Sequence, residues 1–520
     1  MLSRLFSCGL TGLEGRIITV EADVNTGLPQ FLIVGLPDIG IRESKERIRS
    51  AVKNSGFRYP AARTTVNLAP ADFRKEGSSL DLPIALSILC ASEQLYPHSR
   101  VRETIIIGEL SLSGDVKPVH GVLPVVMAAR EAGFKAVVVP KQNVEEAALA
   151  SGIDVYAVAS LSEAADYLRH PEWFSPERRP IQCLQTGADK TGGLEDGSGV
   201  DFADIRGQYH AKRALEIAAA GGHNILLSGP PGSGKSMLVK ALPSILPELT
   251  PEEMLDITRI YSVAGKLGGR SLIARRPFRA PHHTVSASAM AGGGAVPKPG
   301  EVSLAHLGVL YLDELPEFSR EASEILRQPL EDSQITVTRV QASVTYPASF
   351  MLAASMNPCP CGWQGTEGHG CHCTPVQVAN YRSRISGPLL DRIDLFVNVP
   401  QVTYGEITGK AEAESSAAVA GRVNNAREIQ NRRYSSLPGI YCNADLEVSQ
   451  IDRYCPLGED ESELMEKSYT RFGLTARGYH RILKLARTIA DLAGEEQISC
   501  QHIGEAIQYR TDDSFLHGGI

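Results

Sequence analysis

The stretch Gly229-Pro230-Pro231-Gly232-Ser233-Gly234-Lys235-Ser236 constrains this chain more than any other. A glycine-rich turn between a strand and a helix aims several backbone N–H groups at one point, which is how a protein cradles phosphate. His223 to Leu227 before it reads as a buried strand and Met237 to Leu246 after it as a helix, the setting this chemistry requires. Lys235 offers a point charge to the terminal phosphates and the Ser236 hydroxyl a ligand to Mg²⁺. Downstream, Gly308-Val309-Leu310-Tyr311-Leu312-Asp313-Glu314 is an apolar strand ending in two carboxylates. Asp313 would hold the metal, directly or through water, and Glu314 would polarise an attacking water. Together these residues imply binding and hydrolysis of a nucleoside triphosphate with Mg²⁺.

A chain of 520 residues with 43% hydrophobic content implies several domains with ample cores. Lys and Arg number 52 against 60 Asp and Glu, a net charge of −8, which excludes a wholly basic nucleic-acid coat protein. A basic channel formed locally on assembly stays open. No apolar run has the length to cross a bilayer, and Met1 to Cys8 is followed by charged, strand-like sequence rather than a cleavage site, so a cytoplasmic protein without a membrane partner is expected. Ten cysteines in such a chain read as thiols or metal ligands.

Residues 1–168 alternate strand signals (Arg16 to Val24, Phe31 to Val34, Thr65 to Leu68, Ile105 to Leu110, Ala136 to Pro140) with helical ones (Ile41 to Ser55, Leu82 to Cys90, Leu123 to Ala132), predicting an α/β domain. Residues 169–200 are rich in Pro, Gly and charge and read as a linker. An α/β nucleotide-binding core is expected over 201–400 and a helical region with a small C-terminal lid over 401–520. There, Ala411 to Arg433 is polar and alanine-rich and predicts a long exposed helix. Ile482, Leu483, Leu485, Ala486, Ile489 and Leu492 trace one apolar face.

Cys359-Pro360-Cys361 and Cys371-His372-Cys373 present four thiols in two close pairs around a Gly-rich loop. Cys359, Cys361, Cys371 and Cys373 would make a structural tetrahedral Zn²⁺ site within an insert at 357–374, although C-x-C is tighter than the common C-x-x-C. A redox dithiol, or a site using His369 or His372 for one cysteine, are the alternatives. His282 and His283 are adjacent, a spacing that points side chains apart, and read as structural or nucleotide-coupled rather than as metal ligands.

Phe350 to Asn357 is an apolar strand ending in a polar residue, and ligands of parallel sheets sit at the carboxyl ends of strands, so Asn357 would lie beside the γ-phosphate. With Pro388-Leu389-Leu390-Asp391-Arg392-Ile393-Asp394-Leu395, Thr475-Ala476-Arg477-Gly478, Arg276 to Thr284 and Ala291 to Gly300, the chain resembles, over nearly its whole length, the magnesium-chelatase-like AAA+ ATPases. That resemblance implies a sensor role for Asn357. It makes Arg392 an arginine finger reaching a neighbour's γ-phosphate, against local pairing with Asp391 or Asp394. It gives Arg477 a phosphate contact from the lid side, with Arg481 competing. It implies a homo-hexamer whose Gly-rich segment reaches the pore and whose hairpin from Gln334 to Tyr346, with Arg339 near its tip, contacts DNA.

Leu68 to Pro83 and Gly108 to Lys141 resemble the Lon-protease-like (ribosomal S5 domain 2-like) domain of the same family. Ser79 falls at the nucleophile position and Leu123 at that of the base, and an aliphatic side chain cannot take a serine proton, so a non-proteolytic domain is expected. The activity implied is a DNA-stimulated ATPase and branch-migration helicase acting on single-stranded and branched DNA, extending heteroduplex in homologous recombination and natural transformation. A chelatase-type chaperone for metal insertion and a protein remodeller are the alternatives.

Overall fold

Alternating apolar and polar residues build the first sheet: Leu5, Ile18, Val20, Ala22, Val66 and Leu68 are buried while the residues between them are mostly less so. In the computed structural model, which describes residues 2–178, 199–294, 297–338, 343–366, 370–408, 413–437 and 439–510, this region holds nine strands. They are β1 (Leu2–Thr11), β2 (Glu14–Asn25), β3 (Gln30–Val34), β4 (Arg63–Ala69), β5 (Thr104–Ile106), β6 (Glu109–Leu110), β7 (Val116–Lys117), β8 (Ala136–Pro140) and β9 (Asp154–Val158). Seven form a mixed sheet in the order β3-β4-β2-β1-β5-β8-β9, antiparallel among β4, β2 and β1 and parallel elsewhere.

Two differences from the expected pattern have local causes. The strand expected over Ile105 to Leu110 breaks at Gly108, whose N–H donates to the Ser79 carbonyl at 2.8 Å; Glu109–Leu110 then pairs with Val116–Lys117. Residues Pro171 to Arg178, assigned to the linker by composition, pack on this domain. Phe174 meets Tyr167 edge-on at 5.4 Å and the Glu177 N–H donates to Val155 O at 2.8 Å. Compositional averaging hides one aromatic anchor. The remainder of the expected linker, 179–198, lies outside the described residues.

The second sheet is wholly parallel and built from short, mostly apolar strands, as sheets covered on both faces are. Its strands are β10 (Ile225–Ser228), β11 (Phe278–Arg279), β14 (Val309–Leu312), β17 (Met351–Met356) and β18 (Leu395–Asn398), in the order β11-β14-β17-β10-β18. Between them lie two antiparallel hairpins, β12 (Gly292–Gly293) with β13 (Lys298–Pro299), and β15 (Gln334–Thr338) with β16 (Ser343–Pro347). The second is the hairpin expected from Gln334 to Tyr346; Arg339, expected near its tip, lies outside the described residues. The helix expected over Met237 to Leu246 is α-helical over Lys235–Ala241 and tightens to a 3₁₀ turn over Leu242–Ile245, where Pro243 removes a donor.

The Ser416–Tyr434 helix is not the exposed rod its composition suggests. Val419, Val423, Ala426 and Tyr434 are buried, and the buried Gln430 donates to Ala220 O at 3.1 Å in the Tyr209–Gly221 helix. Its apolar stripe is one residue wide, so a mean over the segment misses it. The helices Glu459–Phe472, Ala476–Ala493 and Cys500–Gln508 share a single apolar core with this helix and with β10, β14, β17 and β18. The C-terminal region is therefore a wall of the nucleotide-binding module. The N-terminal domain meets that module where buried Glu146 accepts from the Ser262 hydroxyl and the Gly121 N–H donates to Ser262 O at 3.2 Å. Among the described residues no helix is long and apolar enough to cross a membrane.

Candidate active site

Parallel register brings the expected nucleotide-site residues to one edge of the five-stranded sheet. Ser228 is level with Met356 and Leu312 with Ala354, so Gly229, Asn357 and Asp313 leave the sheet together at its carboxyl edge. At Gly229 an added Cβ would stand 2.1 Å from the Val399 carbonyl oxygen, so glycine alone lets the phosphate loop turn off β10 beside β18. Lys235 Nζ donates to Gly229 O at 2.6 Å, to Pro230 O at 2.9 Å and to Asn357 Oδ1 at 3.3 Å. Burial lowers the ammonium's pKa and the nearby Asp313 and Glu314 carboxylates pull it back up.

Ser236 Oγ donates to Asp313 Oδ2 at 3.1 Å, so the two residues expected to share Mg²⁺ are adjacent. The other Asp313 oxygen accepts from the hydroxyl of Ser355, a fully buried residue that also accepts the Glu314 N–H at 3.3 Å. Ser355 is not among the residues expected at the site, although a hydroxyl inside the otherwise apolar run Met351–Met356 signals that something polar lies alongside. Glu314 has φ +56°, a left-handed conformation that costs a non-glycine residue energy, and its side chain is half exposed at the mouth of the site. His283 Nδ1 stands 3.9 Å from Glu314 Oε2. The two histidine rings do not diverge as adjacent strand residues would: their centroids are 4.1 Å apart, because this segment is a turn outside the sheet.

The arginines lie at the opposite, amino edge. Arg392 precedes β18, and its carbonyl accepts from Asn224, which precedes β10. Four residues of strand separate this edge from the phosphate loop, about 13 Å at ~3.3 Å per residue. Arg392 is buried; Nη1 donates to Pro388 O at 2.6 Å and Nη2 pairs with Glu331 at 2.5 Å. Neither Asp391 nor Asp394 is its partner. Asp394 belongs to Arg481 and also accepts the Asn224 N–H at 2.9 Å. Burial pushes the Asp394 carboxyl up, but the Arg481 guanidinium, His223 and the Asn224 N–H together outweigh it and hold the group below the ordinary carboxylate range. Arg477, expected to contact phosphate from the lid side, stands 3.6 Å from Glu331 beside Arg392. The Ala476–Ala493 helix packs along the Tyr209–Gly221 helix and the amino edge, which carries Arg477 away from Lys235. Glu331, which gathers both arginines, carried no sequence signal.

The four cysteines converge. Sγ–Sγ distances are 3.3 Å for Cys359–Cys361, 3.7 Å for Cys359–Cys371 and 3.5 Å for Cys361–Cys371, and with Cys373 all four sulfurs lie within 4.8 Å of one another. A tetrahedron with Zn–S bonds of about 2.3 Å has edges of about 3.8 Å, so the set fits a four-thiolate ion. The backbone N–H groups of Trp363 and His372 face the Cys361 sulfur and push its thiol down to about 6. His372 is not among the clustered donors, and His369 lies outside the described residues. In the N-terminal domain Ser79 is half-buried before the Asp81–Ala91 helix, and Leu123 is fully buried in the apolar core around the Val122–Glu131 helix.

Three family profiles match successive stretches: "Magnesium chelatase, subunit ChlI" over residues 201–407, "Subunit ChlI of Mg-chelatase" over 20–143 and "Magnesium chelatase, subunit ChlI C-terminal" over 413–510. Competence protein ComM of Haemophilus influenzae is 42% identical over 511 residues, covering 98% of this chain and 97% of the relative. Protein YifB of Salmonella typhimurium is 43% identical over 506 residues, 97% and 96% of the two chains. The magnesium-chelatase 67 kDa subunit of Chlorobaculum parvum is 33% identical over 165 residues, 31% of this chain and 23% of that subunit. A phosphate loop and paired carboxylates at one sheet edge, in a chain that the ComM and YifB relatives match over nearly its whole length, make it a ComM-like member of the magnesium chelatase ChlI family of ATPases.

Proposed function

We propose that this chain is an ATP-driven ring motor on DNA, six copies of which promote branch migration and heteroduplex extension during homologous recombination and natural transformation. One observation carries the motor reading: the phosphate-binding groups and the arginines occupy opposite edges of one sheet, so a chain completes its site by borrowing Arg392 from a neighbour. The DNA reading is supported by the full-length likeness to a competence protein, competence being the uptake of DNA. It is also supported by the β15–β16 hairpin, the element expected to carry Arg339, the proposed DNA contact. Six such tips would give an acidic protein a basic collar.

In the proposed cycle the amides of Gly229 to Ser236 and the Lys235 ammonium bind the phosphates. Ser236 and Asp313 hold Mg²⁺, which when bound neutralises charge on the phosphate oxygens. Glu314, turned outward by its backbone, orients the attacking water and takes its proton. Asn357 positions Lys235 and that water. Arg392 and Arg477 of the adjacent copy stabilise the charge that develops, and Glu331 keeps them together in the meantime. Cys359, Cys361, Cys371 and Cys373 would hold a structural Zn²⁺. The N-terminal domain is proposed to be a Lon-like, non-proteolytic assembly element, and the protein to work in the cytoplasm.

The test is strand exchange on a synthetic four-way junction by wild type and Glu314→Gln. ATP-dependent resolution is expected from the wild type, with a loss of at least about 100-fold in the variant. Robust ATPase that leaves the junction intact removes the DNA reading. Stimulation by unfolded protein would then favour a remodeller, and stimulation by a tetrapyrrole-metallating partner a chelatase-type chaperone, the reading suggested by the partial match to a chelatase subunit.

A further inference from the structure

The cysteine loop is built into the nucleotide site. It begins two residues after Asn357, and Cys359 is fully buried at the end of β17. Three residues on, the Gly362 N–H closes a turn onto Cys359 O at 2.9 Å, and that turn rests on the phosphate loop. A Cβ at Gly362 would stand 2.6 Å from Pro231 Cδ and 2.7 Å from Cγ, so no side chain fits between the two loops; φ there is +84°. On the other flank Arg382 donates to Pro358 O at 3.4 Å and to Gln364 Oε1 at 3.3 Å. One end of the loop thus fixes Asn357, which accepts from Lys235, and its middle abuts Pro231. The loop itself is Pro-, Gly- and Cys-rich with Trp363 as its one large apolar side chain, so the sulfur cluster is the main feature that can give it a shape.

We propose that a metal ion held by the four thiolates is a strut for nucleotide binding: its occupancy sets where Asn357 and Pro231 stand, and hence the affinity for nucleotide. This rests on the zinc reading of the cluster. Linkage then requires that nucleotide tighten the metal by the same factor that the metal tightens nucleotide. Losing one positioned hydrogen bond and a docked loop corresponds to roughly a tenfold change in affinity.

The experiment uses the full-length protein, Zn²⁺ measured with a chromogenic chelator, and a fluorescent ADP analogue as the probe. The purified protein is expected to carry one Zn²⁺ per chain. After stripping with a thiol-directed mercurial that is then removed with dithiothreitol, it should bind the probe roughly tenfold more weakly, with recovery when Zn²⁺ is returned. The probe should in turn slow the loss of Zn²⁺ to a chelator. Cys371→Ser with Cys373→Ser should behave as the stripped protein that Zn²⁺ does not rescue. Gly362→Ala keeps all four thiolates but drives a methyl group into Pro231, so it should retain its metal and still lose affinity. Equal probe affinity before and after stripping, in protein that still melts cooperatively, overturns the strut, as does a Gly362→Ala variant of unchanged affinity. Absence of metal even after Zn²⁺ is supplied defeats the zinc reading instead, and the strut with it.

Discussion

The carboxyl edge of the five-stranded sheet holds its charges loosely, and the amino edge holds them tightly. At the first, Lys235 rests on neutral oxygens of Gly229, Pro230 and Asn357, Ser236 touches one Asp313 oxygen, and Glu314 faces outward. At the second, Asp394 is locked to Arg481 and the Asn224 N–H, Arg392 to Glu331 and Pro388, and His223 to Thr488 at 2.8 Å. The difference follows from what each edge must do. In the proposed cycle the carboxyl-edge groups trade neutral or hydroxyl partners for a phosphate and a metal, whereas an arginine offered to a neighbouring copy needs a rigid mount.

The sharpest way to break this contrast is to disable one edge per subunit. Arg392→Ala and Lys235→Ala should each lower ATP turnover by about 1,000-fold or more, the scale of a lost arginine finger. Mixed in equal amounts, the two variants should regain a measurable fraction of wild-type turnover, because some seams then carry both intact halves. A mixture as dead as its components, alongside a monomer that hydrolyses ATP at the full rate, would mean that the edges do not cooperate between copies.

A smaller effect tests the rigid mount. Asp394→Asn leaves Arg481 without its carboxylate partner in a buried setting and should lower the stability of the nucleotide-binding module by about 2–3 kcal/mol in denaturant unfolding. Asn357→Ala at the loose edge should cost far less stability while impairing turnover. Comparable losses for both would erase the distinction.

The smallest effect is one of pH. His306 also lies at the amino edge, where its Nδ1 accepts the Ser349 N–H at 3.1 Å, and burial lowers its pKa to about 4. Its unfolded value is near 6.5, so the unfolded chain takes up the proton first. The stabilisation from keeping this ring neutral is full above pH 6.5 and is lost progressively as pH falls toward 4. The melting temperature should therefore drop by about 2–4 °C between pH 7 and pH 5, and less in His306→Asn. An unchanged pH dependence in that variant would show that the ring does not carry the effect.

How far the sequence was legible differs between the edges for a physical reason. The carboxyl edge is made of contiguous motifs: Asp313, Glu314 and Asn357 come straight after apolar strands, and Lys235 and Ser236 end an unbroken Gly-rich loop that leaves one. Lys235, Ser236, Asp313, Glu314 and Asn357 could be picked out this way and do lie together. The amino edge is made of residues far apart in the chain: Glu331 sits 61 positions from Arg392, and Arg481 87 from Asp394. Their pairing has no local pattern, and so neither the Arg392–Glu331 pair nor the placing of Arg477 beside it could be read from the sequence. The Ser416–Tyr434 helix was misread as exposed because its burial depends on a surface presented by the Tyr209–Gly221 helix.

By itself, then, the sequence determined the phosphate loop, the carboxylates that serve it, the four clustered thiols and the helix and strand periods around them. All of these are set by neighbours within a few residues, where chain connectivity leaves little choice. The tertiary structure alone decided that the two sets of charges face opposite ways across one sheet, that the cysteine turn leans on Pro231, and that the C-terminal helices close the core. Such contacts depend on which distant side chains packing brings together.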